Sequence, residues 1–194
     1  MKKLPRADRR AQLLEMALKI VREEGTDALT LGALAERAGV SKPIAYSHFE
    51  TRAGLMIALY KEIMDQQVEA LAIALENTPA RLSDVARVVA ESYMECTTAV
   101  GPEWHAIGAA LRGDAQMDAY HGEMARGHAA FFAEAFTPLS ALAADDIRRR
   151  CVGIIGAADA LSNEMVRGGC TKENAANDLA ALIVQWLAPA RQAG

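Results

Sequence analysis

Apolar residues recur along this chain at intervals of three and four, and no stretch shows the alternating β-branched pattern of a half-buried strand. Leu13, Leu14, Ala17, Ile20 and Val21 mark one face of a first helix, about Arg6 to Glu24. Leu34, Ala35 and Ala38 mark a short second one, Leu31 to Ala38, and Leu55, Leu59 and Ile63 a long one, about Arg52 to Leu75. Later helices are expected at about Arg81 to Thr98, Glu103 to Arg112, Ala115 to Phe136, Ala144 to Arg167 and Lys172 to Ala188. Breakers such as Asn77-Thr78-Pro79, Gly101-Pro102 and Gly113-Asp114 separate them. With a helix from Lys42 to Phe49, the pattern predicts an all-α chain of about nine helices.

The segment Thr30 to Phe49 reads as two short helices meeting at a tight turn. Thr30 is placed to cap the first, and Gly39 ends it by turning left-handed at little steric cost. Val40 plugs the corner, Ser41 is placed to cap the second helix, and Pro43 is tolerated in its first turn. KPIAYSHF is too short to be stable alone and too polar on one side to be core, so its outer face is kept for something else. The major groove of B-DNA admits such a helix. Lys42 can reach a guanine edge or a phosphate, Ser47 and His48 can hydrogen-bond either, and Ile44 can touch a thymine methyl. Tyr46 reads either as a phenol for a phosphate or as a core aromatic, and Phe49 as core.

Thr30, Leu34-Ala35, Ala38-Gly39-Val40-Ser41 and Tyr46-x-His48-Phe49, followed by Arg52 and Leu55, resemble the TetR family of bacterial transcriptional regulators over about a quarter of the chain. The resemblance implies an N-terminal three-helix DNA-binding domain with a helix-turn-helix, residues 1–52, and a C-terminal helical ligand-binding and dimerisation domain, residues 53–194. It also implies that Thr30, Lys42, Tyr46, His48 and Arg52 touch DNA, Tyr46 and Arg52 mainly on phosphates, with Lys42, Pro43 and Ser47 nearest the bases. Gly32 and Ala33 depart from members that carry contacting side chains there. Arg52 replaces a commoner lysine, which would allow a bidentate phosphate contact.

The formal net charge of −4 looks wrong for a DNA binder until it is divided. Residues 1–52 carry ten Lys or Arg against seven Asp or Glu, and the remainder eleven against eighteen, so the attractive field lies at one end. Lys2, Lys3, Arg6, Arg9 and Arg10 form a basic arm that either follows the DNA or is a disordered tail. No apolar region follows the opening MKK, and stretches such as Leu179 to Ala190 are too short and interrupted to span a bilayer. A cytoplasmic protein with no membrane association is expected. Cys96, Cys151 and Cys170 are far apart and odd in number, which favours buried thiols over a disulfide framework or zinc knuckle, with redox sensing the alternative.

Met117, Tyr120, His121, Met124, His128 and Phe131, with Tyr93, Met94, Trp104, His105 and Ile107, are the candidate lining of a pocket for a small-molecule effector. Taken singly, each is better explained by plain core packing. Three of the four histidines fall among them, and polar anchors in an apolar pocket would account for that. His121 and His128 are seven residues apart, not at the i, i+4 spacing of a helix-borne metal pair, and neither metal nor cofactor is expected. In the last two helices, Gly153, Gly156, Ala157 and Ala160 form a small-residue stripe. Leu179, Leu182, Ile183, Trp186 and Leu187 form a broad apolar one, as a homodimer interface would. A di-iron enzyme is disfavoured because only Asp118-x-x-His121 approaches the paired Glu-x-x-His it needs. A protein-interaction module would leave the polar face of the Lys42 helix unexplained. The reading is thus a dimeric, ligand-responsive regulator, a repressor released from a palindromic operator by an apolar or amphipathic molecule. An activator of the same fold is the alternative.

Overall fold

The computed structural model describes residues 4–188, without the side chain of Gln116; Lys2 and Lys3 of the basic arm lie outside them. Among the described residues there are nine α-helices and no strand: α1 (Arg6–Glu24), α2 (Leu31–Arg37), α3 (Lys42–Phe49), α4 (Arg52–Glu76), α5 (Leu82–Val100), α6 (Glu103–Arg112), α7 (Ala115–Phe136), α8 (Ala144–Val166) and α9 (Lys172–Leu187). Each expected helix is present, with ends shifted by at most two residues.

Residues 4–64 with 103–121 form one compact unit, and 65–102 with 122–188 a second. This packing division falls inside α4 and assigns α6 to the first unit. It is a different question from which residues bind DNA and which a ligand. In the first unit the five α1 residues picked out by helical spacing are the five it buries: Leu13, Leu14, Ala17, Ile20 and Val21. They meet Leu31, Leu34 and Ala35 of α2, Ala45 and Phe49 of α3, and Leu55, Met56 and Leu59 of α4 in a core of side chains at most 4% exposed. Burying each large side chain contributes about 1.5–3 kcal/mol, which is how helices too short to stand alone are held.

Local signals act mostly as their chemistry dictates. Thr30 caps α2, its hydroxyl oxygen accepting from the Ala33 N–H at 3.1 Å. Gly39 turns left-handed at φ +64°, and its N–H and that of Val40 donate to the carbonyls of Glu36 and Ala35 at 3.1 and 2.9 Å. Ser41 does not cap α3 with its side chain; its carbonyl accepts from Ile44 N–H at 2.9 Å instead. Pro43 brings no N–H to that first turn, so one fewer donor is left for a hydroxyl to satisfy.

Between α3 and α4 the chain does something no propensity announces. Glu50 takes φ +61° and ψ −54°, with Thr51 N–H donating to Phe49 carbonyl at 2.6 Å across it, which is a γ-turn of the rare, strained kind. Thr51 then caps α4, its hydroxyl accepting from Gly54 N–H at 3.0 Å. A Cβ on Gly54 would stand 2.3 Å from the Phe49 carbonyl oxygen, so only glycine lets the first turn of α4 sit against the last turn of α3.

In the second unit α5, α8 and α9 pack on one another, with Phe132 and Phe136 of α7 among the largest fully buried side chains. α9 is capped by Thr171, whose hydroxyl accepts from Asn174 N–H at 3.1 Å. The Trp186 ring lies where a Cβ of Gly153 would be, at 2.6 Å, so the small residue on α8 admits the large one on α9. Only Cys151 is fully buried, and burial pushes its thiol up to about 11; Cys96 and Cys170 are half-buried rather than core. All three are free thiols.

Candidate nucleic-acid interface

α3 buries Ala45 and Phe49 and presents Lys42, Pro43, Ile44, Tyr46 and Ser47 to solvent. Tyr46, ambiguous by sequence, is 51% exposed and is no core residue; Phe49, at 4%, is one. Ile44 is exposed on the same helix, so a methyl-contacting group and hydrogen-bonding groups share one surface. Ser47 Oγ donates to Ile44 carbonyl at 2.8 Å, leaving its lone pairs, not its proton, to face outward.

The far end of α3 is held by α1. Arg6 Nη2 donates to Ser47 carbonyl at 3.3 Å, and Arg10 Nη1 donates to His48 carbonyl at 3.1 Å while its guanidinium lies 4.9 Å over the Phe49 ring. The last carbonyls of a helix lack intrahelical donors, and cations there also complement the helix dipole. Of the expected basic arm, Arg6 and Arg10 are therefore anchored to α3, through contacts 41 and 38 residues apart in sequence that no local pattern reveals. His48 is half-buried; burial first, then Arg6, Arg10 and Arg9, hold its pKa below the ordinary value. The ring is thereby kept neutral near neutral pH, with both a donor and an acceptor.

Arg52, expected to touch a phosphate, also makes contacts inside the first unit. Its Nε donates to Leu29 carbonyl at 3.0 Å and its Nη2 to Thr26 carbonyl at 2.8 Å, so one edge of the guanidinium is occupied by the loop before α2 and the Nη1 end is left for a phosphate. In this conformation Arg52 ties the start of α4 to that loop, just ahead of Thr30. Arg37 is likewise engaged, by Glu23 and Glu24 of α1.

The candidate effector residues fall in both units. Trp104, His105, Ile107, Met117, Tyr120 and His121 belong to the first unit, where Trp104 stacks on Tyr60 at 4.9 Å and His121 lies 5.3 Å from the same ring. Tyr93, Met94, Met124, His128 and Phe131 belong to the second. Met94 is fully buried and Phe131 packs against the core. Only Tyr93 and His128 line a described pocket, with Gln67, Leu71, Val89, Ser92, Cys96 and Phe132 around them. Spacing could place these residues on faces, but not say which faces share a void. Among the described residues no group of three or more His, Cys, Asp or Glu could hold a metal ion, and no helix is long and apolar enough to cross a membrane.

Residues 13–59, which span α1 to the first turns of α4, match the family model described as bacterial regulatory proteins, tetR family. Over these residues the chain is similar to the tetR family. Over 76 residues it is 38% identical to the HTH-type transcriptional activator FasR of Mycolicibacterium smegmatis, covering 39% of this chain and 35% of that protein. The match thus spans about a third of that relative's length. Solved structures of regulators extend the likeness in fold along nearly the whole chain. The fatty acid degradation regulator FadR of Bacillus halodurans superposes with a TM-score of 0.75 at 18% identity, covering 95% of this chain and 97% of that one. The transcriptional regulator FadR of Bacillus subtilis, solved in complex with stearoyl-CoA, gives 0.72 at 17%, covering 91% and 98%.

Proposed function

We propose that this protein is a tetR-family DNA-binding transcriptional regulator that acts as a homodimer in the cytoplasm and releases a palindromic operator when a small molecule occupies its second unit. The observation that carries the reading is the division of α3 into a buried face of Ala45 and Phe49 and an outer face of Lys42, Pro43, Ile44, Tyr46 and Ser47, braced by arginines from α1. A helix whose outer face mixes a cation, hydroxyls and an exposed apolar side chain suits a major groove, where phosphates fix register and base edges give preference. Lys42, Pro43, Ile44 and Ser47 are assigned to the bases. Tyr46, His48 and the Thr30 end of α2 are assigned to the backbone, and Arg52 to the posture of the motif.

Dimerisation is assigned to α8 and α9. Val152 is 57% exposed and Trp186 44%, and Gly156 and Ala160 are exposed on the same row of α8 as Val152, giving a close-approach surface flanked by apolar bulk. A twofold dimer would present two α3 helices about 34–36 Å apart, matched to successive major grooves. The effector acts by preferring the conformation whose reading helices do not fit that spacing. Repression is the first reading. Activation is the second, favoured by the relative named as an activator.

Selection of duplexes from a random pool by the purified full chain, followed by affinity measurements across a salt series, tests the proposal. A palindromic consensus is expected, with log affinity falling linearly at a slope of about −0.9 per phosphate contact. Failure to enrich any sequence, or affinity indifferent to salt, would overturn it.

A further inference from the structure

The pocket between α4, α5 and α7 in the second unit is lined by a histidine that makes ring contacts but no hydrogen bond to a described residue. His128 is 8% exposed and lines the pocket, yet neither ring nitrogen hydrogen-bonds any described residue. Its contacts are with ring faces: it stacks on Tyr93 at 6.4 Å and 12°, and meets Phe132 edge-on at 4.7 Å and 69°. The ring nitrogens are not among the fully sealed, unpartnered polar atoms, so the residual 8% exposure leaves them open to a hydrogen-bond partner that enters through the pocket.

The lining limits what the partner can be. Gln67, Ser92 and His128 offer neutral donors and acceptors, Leu71, Val89 and Phe132 offer apolar surface, and no lysine or arginine lines the pocket. Burial drives the His128 pKa down to about 4 against the pull of Asp159, so the ring brings no positive charge near neutral pH. The Tyr93 hydroxyl is committed, donating to Asp159 Oδ1 at 2.5 Å, and that carboxylate is not part of the lining. A carboxylate or phosphate entering here would lose its hydration with no cation to replace it, and an ammonium would find no carboxylate at the wall.

We infer that His128 is the polar anchor of an effector subsite for uncharged molecules, an apolar body carrying one hydroxyl or carbonyl group that the imidazole hydrogen-bonds. This rests on the reading of the second unit as the effector-binding part of a regulator. In the present conformation the pocket admits only a water-sized sphere, about 10 Å³. Entry of such a molecule therefore requires side chains to move, which is how occupancy selects a different conformation.

The test uses the full chain without DNA and a set of straight-chain probes of about six to ten carbons: 1-alkanols and 2-alkanones against the carboxylates and primary amines of the same lengths. Half-saturating concentrations are read from thermal shift. The alkanols and ketones are expected to stabilise the protein and the charged probes not. His128→Phe, which keeps a ring in the core, should weaken the best uncharged probe about tenfold, the order expected for one lost hydrogen bond. His128→Gln, which keeps an amide donor and acceptor, should hold it within about threefold. Charged probes binding as well as uncharged ones, no response to any probe, or affinity unchanged in His128→Phe would each overturn the inference. Duplex binding on the same samples separates the two readings. Probe binding that depends on His128 in a protein that binds no duplex would sink the regulator and leave the subsite, whereas duplex binding without any probe response would do the reverse.

Discussion

The buried, unpartnered imidazole of His128 makes a quantitative prediction about acid stability. Folding lowers its pKa from the ordinary 6.5 to about 4, chiefly because burial penalises the charged ring, with Asp159 behind Tyr93 opposing in the other direction. Between those two values the unfolded chain binds a proton at this site and the folded chain does not, so stability rises with pH there. It is fully present above 6.5, is lost progressively as the pH falls toward 4, and is lost no further below. Taking the two pKa values at face value, the loss between neutral pH and pH 4.5 is about 2.5 kcal/mol, at roughly 1.36 kcal/mol per pKa unit. The assay is urea unfolding followed by far-UV circular dichroism at fixed protein concentration, from about pH 7.5 to 4.5, on the natural chain and on His128→Phe. Other groups titrate in both, His48 with a shift of the same direction among them, so the difference between the two profiles isolates this ring. Profiles that stay parallel to within about 0.5 kcal/mol would refute the reasoning, because the ring would then be solvated or paired in solution.

Gly54→Ala should destabilise the first unit by more than about 2 kcal/mol, visible as a fall in thermal midpoint, since its Cβ would stand 2.3 Å from a backbone oxygen that cannot swing away. Arg10→Met removes the donor to His48 carbonyl and the contact over Phe49; a modest loss of about 1 kcal/mol is expected, with weaker duplex binding and the sequence preference preserved. Tyr46→Ala should weaken every duplex alike, whereas Lys42→Ala should change which duplex is preferred, and competition between a selected and a random duplex tells the two apart. Val152→Asp should turn a dimer into a monomer by analytical ultracentrifugation, because it sets a charge on an exposed large apolar side chain of α8.

Helical spacing was enough to recover the helices and the five buried residues of α1, because burial of a stripe leaves the same mark on any helix whatever it packs against. The capping roles of Thr30 and Gly39 were legible for a related reason: both are settled by bonds within a few residues. What depends on distant partners was not legible. Arg52 has the sequence of a phosphate ligand, and two of its donors also go to the Thr26 and Leu29 carbonyls, while Arg6 and Arg10 of the basic arm brace α3. Tyr46 was undecided because exposure is set by how α3 rolls on α1 and α2, which its own eight residues do not specify. The effector residues suffered most, since Met, His and aromatic side chains at helical spacing describe a wall of a pocket and the inside of a core equally well. Of the eleven, Tyr93 and His128 line a described pocket, and that followed only from the tertiary packing.

The γ-turn at Glu50 and the bare Cα of Gly54 leave no slack between α3 and α4. Joints in proteins that must swing are usually given spare residues; this one has been shortened until two helices share a single elbow. A push delivered to the opening turn of α4 would therefore arrive at Lys42 and Tyr46 as displacement rather than being absorbed as flexing, and the strain stored in that elbow is the cost of a linkage without play.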